Sequence, residues 1–259
     1  MAENSGIEWT RHTFNPWIGC TALTPACDGC YAERQNDFRK WNPNGWGPHA
    51  PRKRTSEANW RKPLAWDRAA AEAGERHRVF CASLADVFDN HRSITSGWHG
   101  DLWHLIARTP HLDWLLLTKR PQNIAKMMPE SYGAPAWGDG WPNVWLGTTV
   151  ENRTEMLRRG PVLKSIPAVV HFWSCEPLLE DLGDIPREIV PDWIIGGGES
   201  GPEYRDPGLD AFRSLRDQCM AYGIAFLFKQ HSGRHQREIK AKGRLLDGVQ
   251  HDGYPEAMR

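Results

Sequence analysis

Long apolar runs are missing from this sequence. No stretch of 18 apolar residues occurs, which excludes a membrane-spanning helix. The opening Met-Ala-Glu-Asn-Ser-Gly lacks the basic-then-apolar order of a secretory signal, so a cytoplasmic location is expected. Net charge is missing too: 32 Lys and Arg face 32 Asp and Glu, and nothing global demands a polyanionic partner. Several catalytic signatures are absent. There is no His-Glu-x-x-His, no phosphate loop, no Gly-x-Gly-x-x-Gly, and no Ser–His–Asp arrangement visible by spacing. Cysteine is scarce, with six in 259 residues.

Three of those six crowd into one window, Cys20-Thr-Ala-Leu-Thr-Pro-Ala-Cys27-Asp-Gly-Cys30. Clustered thiolates must be deprotonated and held near one another, and a metal or an iron–sulfur cluster supplies the reason. Cys27 and Cys30 have the spacing that lets both sulfurs of a tight turn face one ion; Gly29 permits the turn and Pro25 stiffens its approach. Cys81, Cys175 and Cys219 are scattered in apolar surroundings, so the local ligands number three. A structural zinc site normally closes with four. Three cysteines on one loop would leave one iron of a 4Fe-4S cluster open, as in radical S-adenosylmethionine enzymes, where that iron chelates the cofactor and a 5′-deoxyadenosyl radical is released. The usual radical motif is Cys-x3-Cys-x-aromatic-Cys. Here the spacing is Cys-x6-Cys-x2-Cys, and the aromatic, Tyr31, follows the last cysteine. The alternative is zinc, with His12 or His49 as fourth ligand. A disulfide reading is poor, because nothing suggests secretion and three is odd.

Charge is unevenly spread. Residues 32–63 carry eight Lys/Arg against three acids, residues 229–244 six against one, and residues 176–206 nine acids against two Arg. Such asymmetry points to a charged partner or to solvated faces. The cluster Arg52-Lys53-Arg54 lies in a long loop, where phosphate contact and plain exposure are both open. Fourteen tryptophans suit packing, or platforms for bases.

The pattern of elements is repetitive. Short apolar runs at 79–83, 113–120, 143–149, 169–174, 193–195 and 224–228 alternate with helical stretches at 97–108, 153–164 and 207–221. Further helices are expected at 31–41 and 64–73, and a short strand around Thr13–Asn15. Buried strands alternating with helices mean a parallel sheet. The expectation is an α/β fold, a partial (β/α) barrel of six or seven mostly parallel strands, as one domain over 1–259. A basic loop insertion near 42–63 and a C-terminal extension near 232–259 complete it. A doubly wound open sheet is the alternative. In either case the strand ends gather Asp86, Thr118, Lys119, Glu151, Asn152, Glu176, Gly197, Glu199, Ser200, Lys229 and Gln230. A cofactor with an ammonium, a carboxylate and a ribose diol needs that mix. The plain readings stay open: Asp86 as a cap, Lys119-Arg120 as a surface pair, the glycines as a turn. His171, inside a strand, reads as a satisfied core histidine.

The chain resembles phage and prophage proteins with a three-cysteine motif, related to the radical S-adenosylmethionine superfamily. The matching stretches are Ile7-Glu-Trp-Thr10, Asn15-Pro-Trp-Ile-Gly-Cys20, Cys27-Asp-Gly-Cys30-Tyr-Ala-Glu-Arg34, Ala85-Asp-Val-Phe88, Leu117-Thr-Lys-Arg-Pro121, Trp145-Leu-Gly147, Glu176-Pro-Leu-Leu179, Gly197-Gly-Glu-Ser-Gly201 and Phe228-Lys-Gln230. The resemblance implies a partial α/β barrel, a 4Fe-4S cluster on Cys20, Cys27 and Cys30, and S-adenosylmethionine as cofactor. It implies an electron donor such as flavodoxin or ferredoxin, a location in the cytoplasm of an infected bacterial host, and a radical step on a substituent of a modified thymine in viral DNA, with isomerisation as the expected outcome. Two rivals remain: a zinc-stabilised nucleic-acid-binding protein without catalysis, and a zinc hydrolase using Glu176 or Glu199 as base.

Overall fold

A computed structural model describes residues 3–256. In chain order the strands are β1 (His12–Thr13), β2 (Trp17–Ile18), β3 (Lys53–Arg54), β4 (His77–Cys81), β5 (Leu112–Thr118), β6 (Val144–Thr149), β7 (Val170–Cys175), β8 (Trp193–Gly197), β9 (Ala225–Gln230), β10 (Leu245–Leu246) and β11 (Val249–Gln250). The helices are α1 (Tyr31–Arg39), α2 (Glu57–Ala73), α3 (Ser96–Ala107), α4 (Arg153–Lys164), α5 (Leu209–Tyr222) and α6 (Gln236–Lys242).

Seven strands make one sheet in the order β1-β4-β5-β6-β7-β8-β9. The pairings β1/β4, β4/β5, β7/β8 and β8/β9 are all parallel. This is the α/β fold of the expected class, with the upper of the two expected strand numbers. The strands are apolar along their length because both faces are covered. Leu115 and Leu116 on β5, Phe172 on β7 and Ile194 and Ile195 on β8 are fully buried. No helix among the described residues is long and apolar enough to cross a membrane.

The chain divides into two compact units. The first comprises residues 1–22, 32–146 and 166–169; the second comprises 23–31, 147–165 and 170–259. In the first unit α2 packs on β4 and β5. It begins seven residues before the expected start, because Ser56 caps it by accepting from the Asn59 amide and the helix runs through Pro63. The expected basic loop insertion is thereby shortened: residues 57–63 are helix, and Lys53–Arg54 pair antiparallel with Trp17–Ile18. In the second unit α5 packs on β8 and β9. The described part of the C-terminal stretch, residues 232–256, is folded. It forms α6 and the β10/β11 hairpin, and its return covers β9, where the Phe228 amide donates to His251 O at 2.9 Å and the Gly253 amide to Phe226 O at 2.9 Å. Covering an edge strand in this way removes a site for unwanted pairing.

Tryptophan is packing material. Eleven of the fourteen are buried, in contacts such as Trp103 with Trp137 and Trp141 at 5.9 and 5.5 Å between centroids. For these the packing reading holds, and the alternative of base-stacking platforms does not.

Candidate functional site

In the first unit, β2 leads directly to Cys20. Gly19 makes the corner at φ +122°, and a Cβ there would lie 2.5 Å from Gly45 O, so only glycine serves. The Cys20 amide then donates to Gly45 O at 3.1 Å, and the Gly47 amide to Cys20 O at 2.9 Å. The thiol is half-buried. Arg120 approaches it: one guanidinium nitrogen lies 3.9 Å from Cys20 Sγ and 2.8 Å from Asp86 Oδ2, and the other donates to Thr21 O at 3.2 Å. Asp86 is fully engaged. It accepts from Thr118 Oγ1 at 2.6 Å, from the Phe88 amide at 3.0 Å and from the Lys119 amide at 2.9 Å, besides Arg120. Arg52 repeats the device, donating to Asp89 Oδ2 at 2.8 Å and to Thr21 Oγ1 at 2.7 Å. Burial pushes the Cys20 thiol up to about 11; Asp86 adds to this and Arg120 opposes it. A bound metal would displace that proton.

In the second unit, a short 3-10 turn over Pro25–Cys27 starts the tight part of the loop. The Cys27 amide donates to Thr24 O at 2.8 Å, the Cys30 amide to Cys27 O at 3.2 Å, and the Leu23 amide to Cys27 Sγ at 3.5 Å. Cys27 and Cys30 are also half-buried, whereas Cys81, Cys175 and Cys219 are buried. Arg205 holds this turn from beyond β8, donating to Pro25 O at 2.8 Å and Asp28 Oδ2 at 3.2 Å. Buried Glu199 fixes Arg205 by accepting from its Nε and its amide, both at 2.8 Å. A Cβ on Gly29 would lie 2.9 Å from Glu199 Oε1, so the close approach needs glycine. At the end of β6, Arg159 on α4 binds Glu151 at 2.8 Å, Thr149 O at 2.7 Å and Thr24 Oγ1 at 3.4 Å. Glu151 is fully buried, and among the described residues its Oε1 has no hydrogen-bond partner.

The structure brings Asp86, Thr118 and Lys119 together in the first unit. In the second, Glu176 pairs with Lys229 at 2.8 Å, and a Cβ on Gly197 would lie 2.8 Å from Glu176 Oε1. Gln230 donates to Gly198 O at 2.8 Å, and Ser200 bridges to Gly233 in parallel fashion. Asn152 is different. Its side chain accepts from the Glu155 amide at 2.8 Å and caps α4, which accounts for its place after the strand without a ligand. The sequence reading missed Arg52, Asp89, Arg120, Arg159 and Arg205. Arg159 and Arg205 follow the expected acids Glu151 and Glu199 at short range, yet only the fold aims a guanidinium back at the cysteine loop. The reading of Lys119-Arg120 as a surface pair fails for Arg120, which is buried. The Arg52-Lys53-Arg54 cluster is also spent internally: Lys53 donates to Trp41 O at 2.9 Å, and Arg54 pairs with Asp101 and lies 3.9 Å over Trp60.

Among the described residues, no three His, Cys, Asp or Glu side chains are gathered as a metal-binding group. The donor chemistry still favours one candidate. Three half-buried thiols share one loop, and an N–H is directed at the sulfur of Cys20 and of Cys27. That set suits an iron–sulfur cluster with one open iron. The zinc alternative loses one proposed ligand: His12 is stacked on Trp66 at 4.4 Å and bonded to His77 at 3.2 Å, while His49 is exposed on its loop.

A family profile matches residues 4–255. The chain belongs to the family described as protein of unknown function, DUF5131. No curated protein matches it. Among solved structures, a cysteine-to-serine mutant of spore photoproduct lyase is similar with a TM-score of 0.50 and 10% identity, over 84% of this chain and 63% of that one. A doubly substituted mutant of spore photoproduct lyase, with bound AdoMet and dinucleoside spore photoproduct, has a TM-score of 0.46 and 9% identity, over 81% and 61%. The chain spans less than two thirds of either neighbour's length. The first likeness shows the fold, a partial α/β barrel.

Proposed function

We propose that the protein is a radical S-adenosylmethionine enzyme. The observation that carries this reading is the arginine-clamped loop bearing three half-buried thiols, Cys20, Cys27 and Cys30. These residues would hold a 4Fe-4S cluster. When bound, such a cluster supplies an electron to the sulfonium of S-adenosylmethionine and so gives a 5′-deoxyadenosyl radical. The electron would come from a flavodoxin or a ferredoxin. A similarity in fold to a lyase supports an enzyme on this scaffold.

The strand-end residues then divide by how fully they are already bonded. Asp86 and Glu199 hold arginines, and Thr118, Lys119 and Asn152 serve local bonds. The bare Oε1 of Glu151 accepts a hydroxyl or ammonium proton of the cofactor. The Glu176–Lys229 pair, beside Gly197, binds its charged amino acid part. The substrate we assign is a substituent, such as an attached amino acid, on a hypermodified thymine of phage DNA. Its rearrangement leaves the atom count unchanged, because the hydrogen removed is returned.

Anaerobic purification with measurement of iron, sulfide and zinc tests the cluster. Near four irons and four sulfides, lost in Cys27→Ala, are expected, followed by reductant-dependent 5′-deoxyadenosine. Stoichiometric zinc without iron after attempted reconstitution would overturn the reading in favour of a zinc-stabilised nucleic-acid-binding protein. A ratio of 5′-deoxyadenosine to product near one would exclude reuse of the cofactor.

A further inference from the structure

We propose that Arg120 is a positioning residue for the metal group at Cys20, and that its guanidinium makes that group easier to reduce. The inference rests on the cluster reading above and deepens it. Three observations carry it. Arg120 and Asp86 have side chains only 7% and 6% exposed, so their pairing at 2.8 Å is not a solvent-screened contact. The nitrogen that binds Asp86 also lies 3.9 Å from Cys20 Sγ, and its twin binds Thr21 O at 3.2 Å, so one rigid fork spans a carboxylate, a carbonyl and a sulfur. Only arginine has donors in that planar arrangement; lysine is a point charge on a flexible stem. Asp86 in turn accepts four bonds from its own chain, and a ligand ammonium could be received only by displacing one of them.

Reducing a thiolate-ligated centre adds negative charge. A fixed cation and an N–H directed at one ligand sulfur favour the reduced state and raise the potential. Arg205 supplies an internal contrast. It clamps Pro25 O and Asp28 in the same loop and, among the described residues, has no bond to a sulfur. Arg120 therefore acts on both geometry and potential, and Arg205 on geometry alone.

The test compares the wild type with Arg120→Lys, the double variant Asp86→Asn with Arg120→Gln, and Arg205→Lys. The double variant removes the cation without leaving its carboxylate partner charged and buried. Two readouts are taken: amide exchange in the metal-free protein, and the midpoint potential of the reconstituted protein at equal cluster content. The Cys20 and Gly47 amides are expected to exchange at least about tenfold faster in both Arg120 variants and unchanged in Arg205→Lys. The reduction equilibrium constant of the double variant is expected to fall about tenfold, which is about 59 mV for one electron. Arg205→Lys should keep the wild-type potential. An unchanged potential in the double variant, or an equal fall in Arg205→Lys, overturns the proposal. If the double variant takes up no iron, Arg120→Lys decides by the same criterion. If the wild type holds zinc and no iron, the cluster reading and the tuning fall together, and exchange alone decides whether Arg120 positions Cys20.

Discussion

Asp86, Glu199 and Glu151 are each bonded to an arginine that also reaches the cysteine loop: Arg120 to Cys20 and Thr21, Arg205 to Pro25 and Asp28, Arg159 to Thr24. These acids act on the loop through their arginines. Breaking the Arg120 or Arg159 pair from the acid side leaves a buried charge and costs roughly 3–5 kcal/mol; Arg205 is 36% exposed, so the cost of losing Glu199 is smaller. Glu199→Gln is expected to lower iron content and the denaturation midpoint together, as measured by metal analysis and urea unfolding. Another residue-scale prediction concerns His12. Burial, with His77 beside it, lowers its pKa to about 4. The unfolded chain therefore takes up a proton below pH 6.5 that the folded chain refuses. Stability from this group is complete above pH 6.5 and is lost as pH falls toward 4, by on the order of 2–3 kcal/mol. Unfolding measured against pH should show this slope flattened in His12→Gln.

At the scale of elements, most of the sheet was legible. The runs at 143–149, 169–174 and 193–195 overlap β6, β7 and β8, short of the last residues of β7 and β8, because continuous apolar stretches bounded by polar residues mark buried parallel strands. The start of α2 was not legible, since Pro63 sits inside a helix that Ser56 opens. Nor could spacing show that Asn152 is a cap. Of the site, the three cysteines stood out by crowding alone, whereas Arg120, 100 residues from Cys20 in sequence, is brought to it only by the fold. Two predictions belong here. Asn152→Ala should cost about 1 kcal/mol, while Asn152→Ser keeps both stability and S-adenosylmethionine affinity, by thermal unfolding and calorimetry. On β6, a Cβ at Gly147 would lie 2.2 Å from the Phe172 ring. Gly147→Ala should destabilise by about 1–3 kcal/mol in urea unfolding.

Across the whole molecule, charge is balanced and much of the local excess is absorbed. Within residues 229–244, Lys229, Lys242 and Arg244 are paired with Glu176, Glu238 and Asp252, while Arg234, Arg237 and Lys240 are exposed. If DNA carries the substrate, these three supply its phosphate contacts. Replacing all three with Gln should then flatten the slope of log affinity against log salt by about 2 to 3.

The clamp on the second part of the cysteine loop has a consequence for synthesis. Arg205 lies 177 positions after Asp28. At about 5–20 residues per second, translation reaches Arg205 roughly 9–35 s after the loop has been made. During that interval the ribosome-bound chain carries three crowded thiols without their C-terminal latch. Oxygen and stray metal ions meet the loop at its least protected moment, so a reducing environment around the nascent chain decides how many finished molecules still have all three sulfurs available.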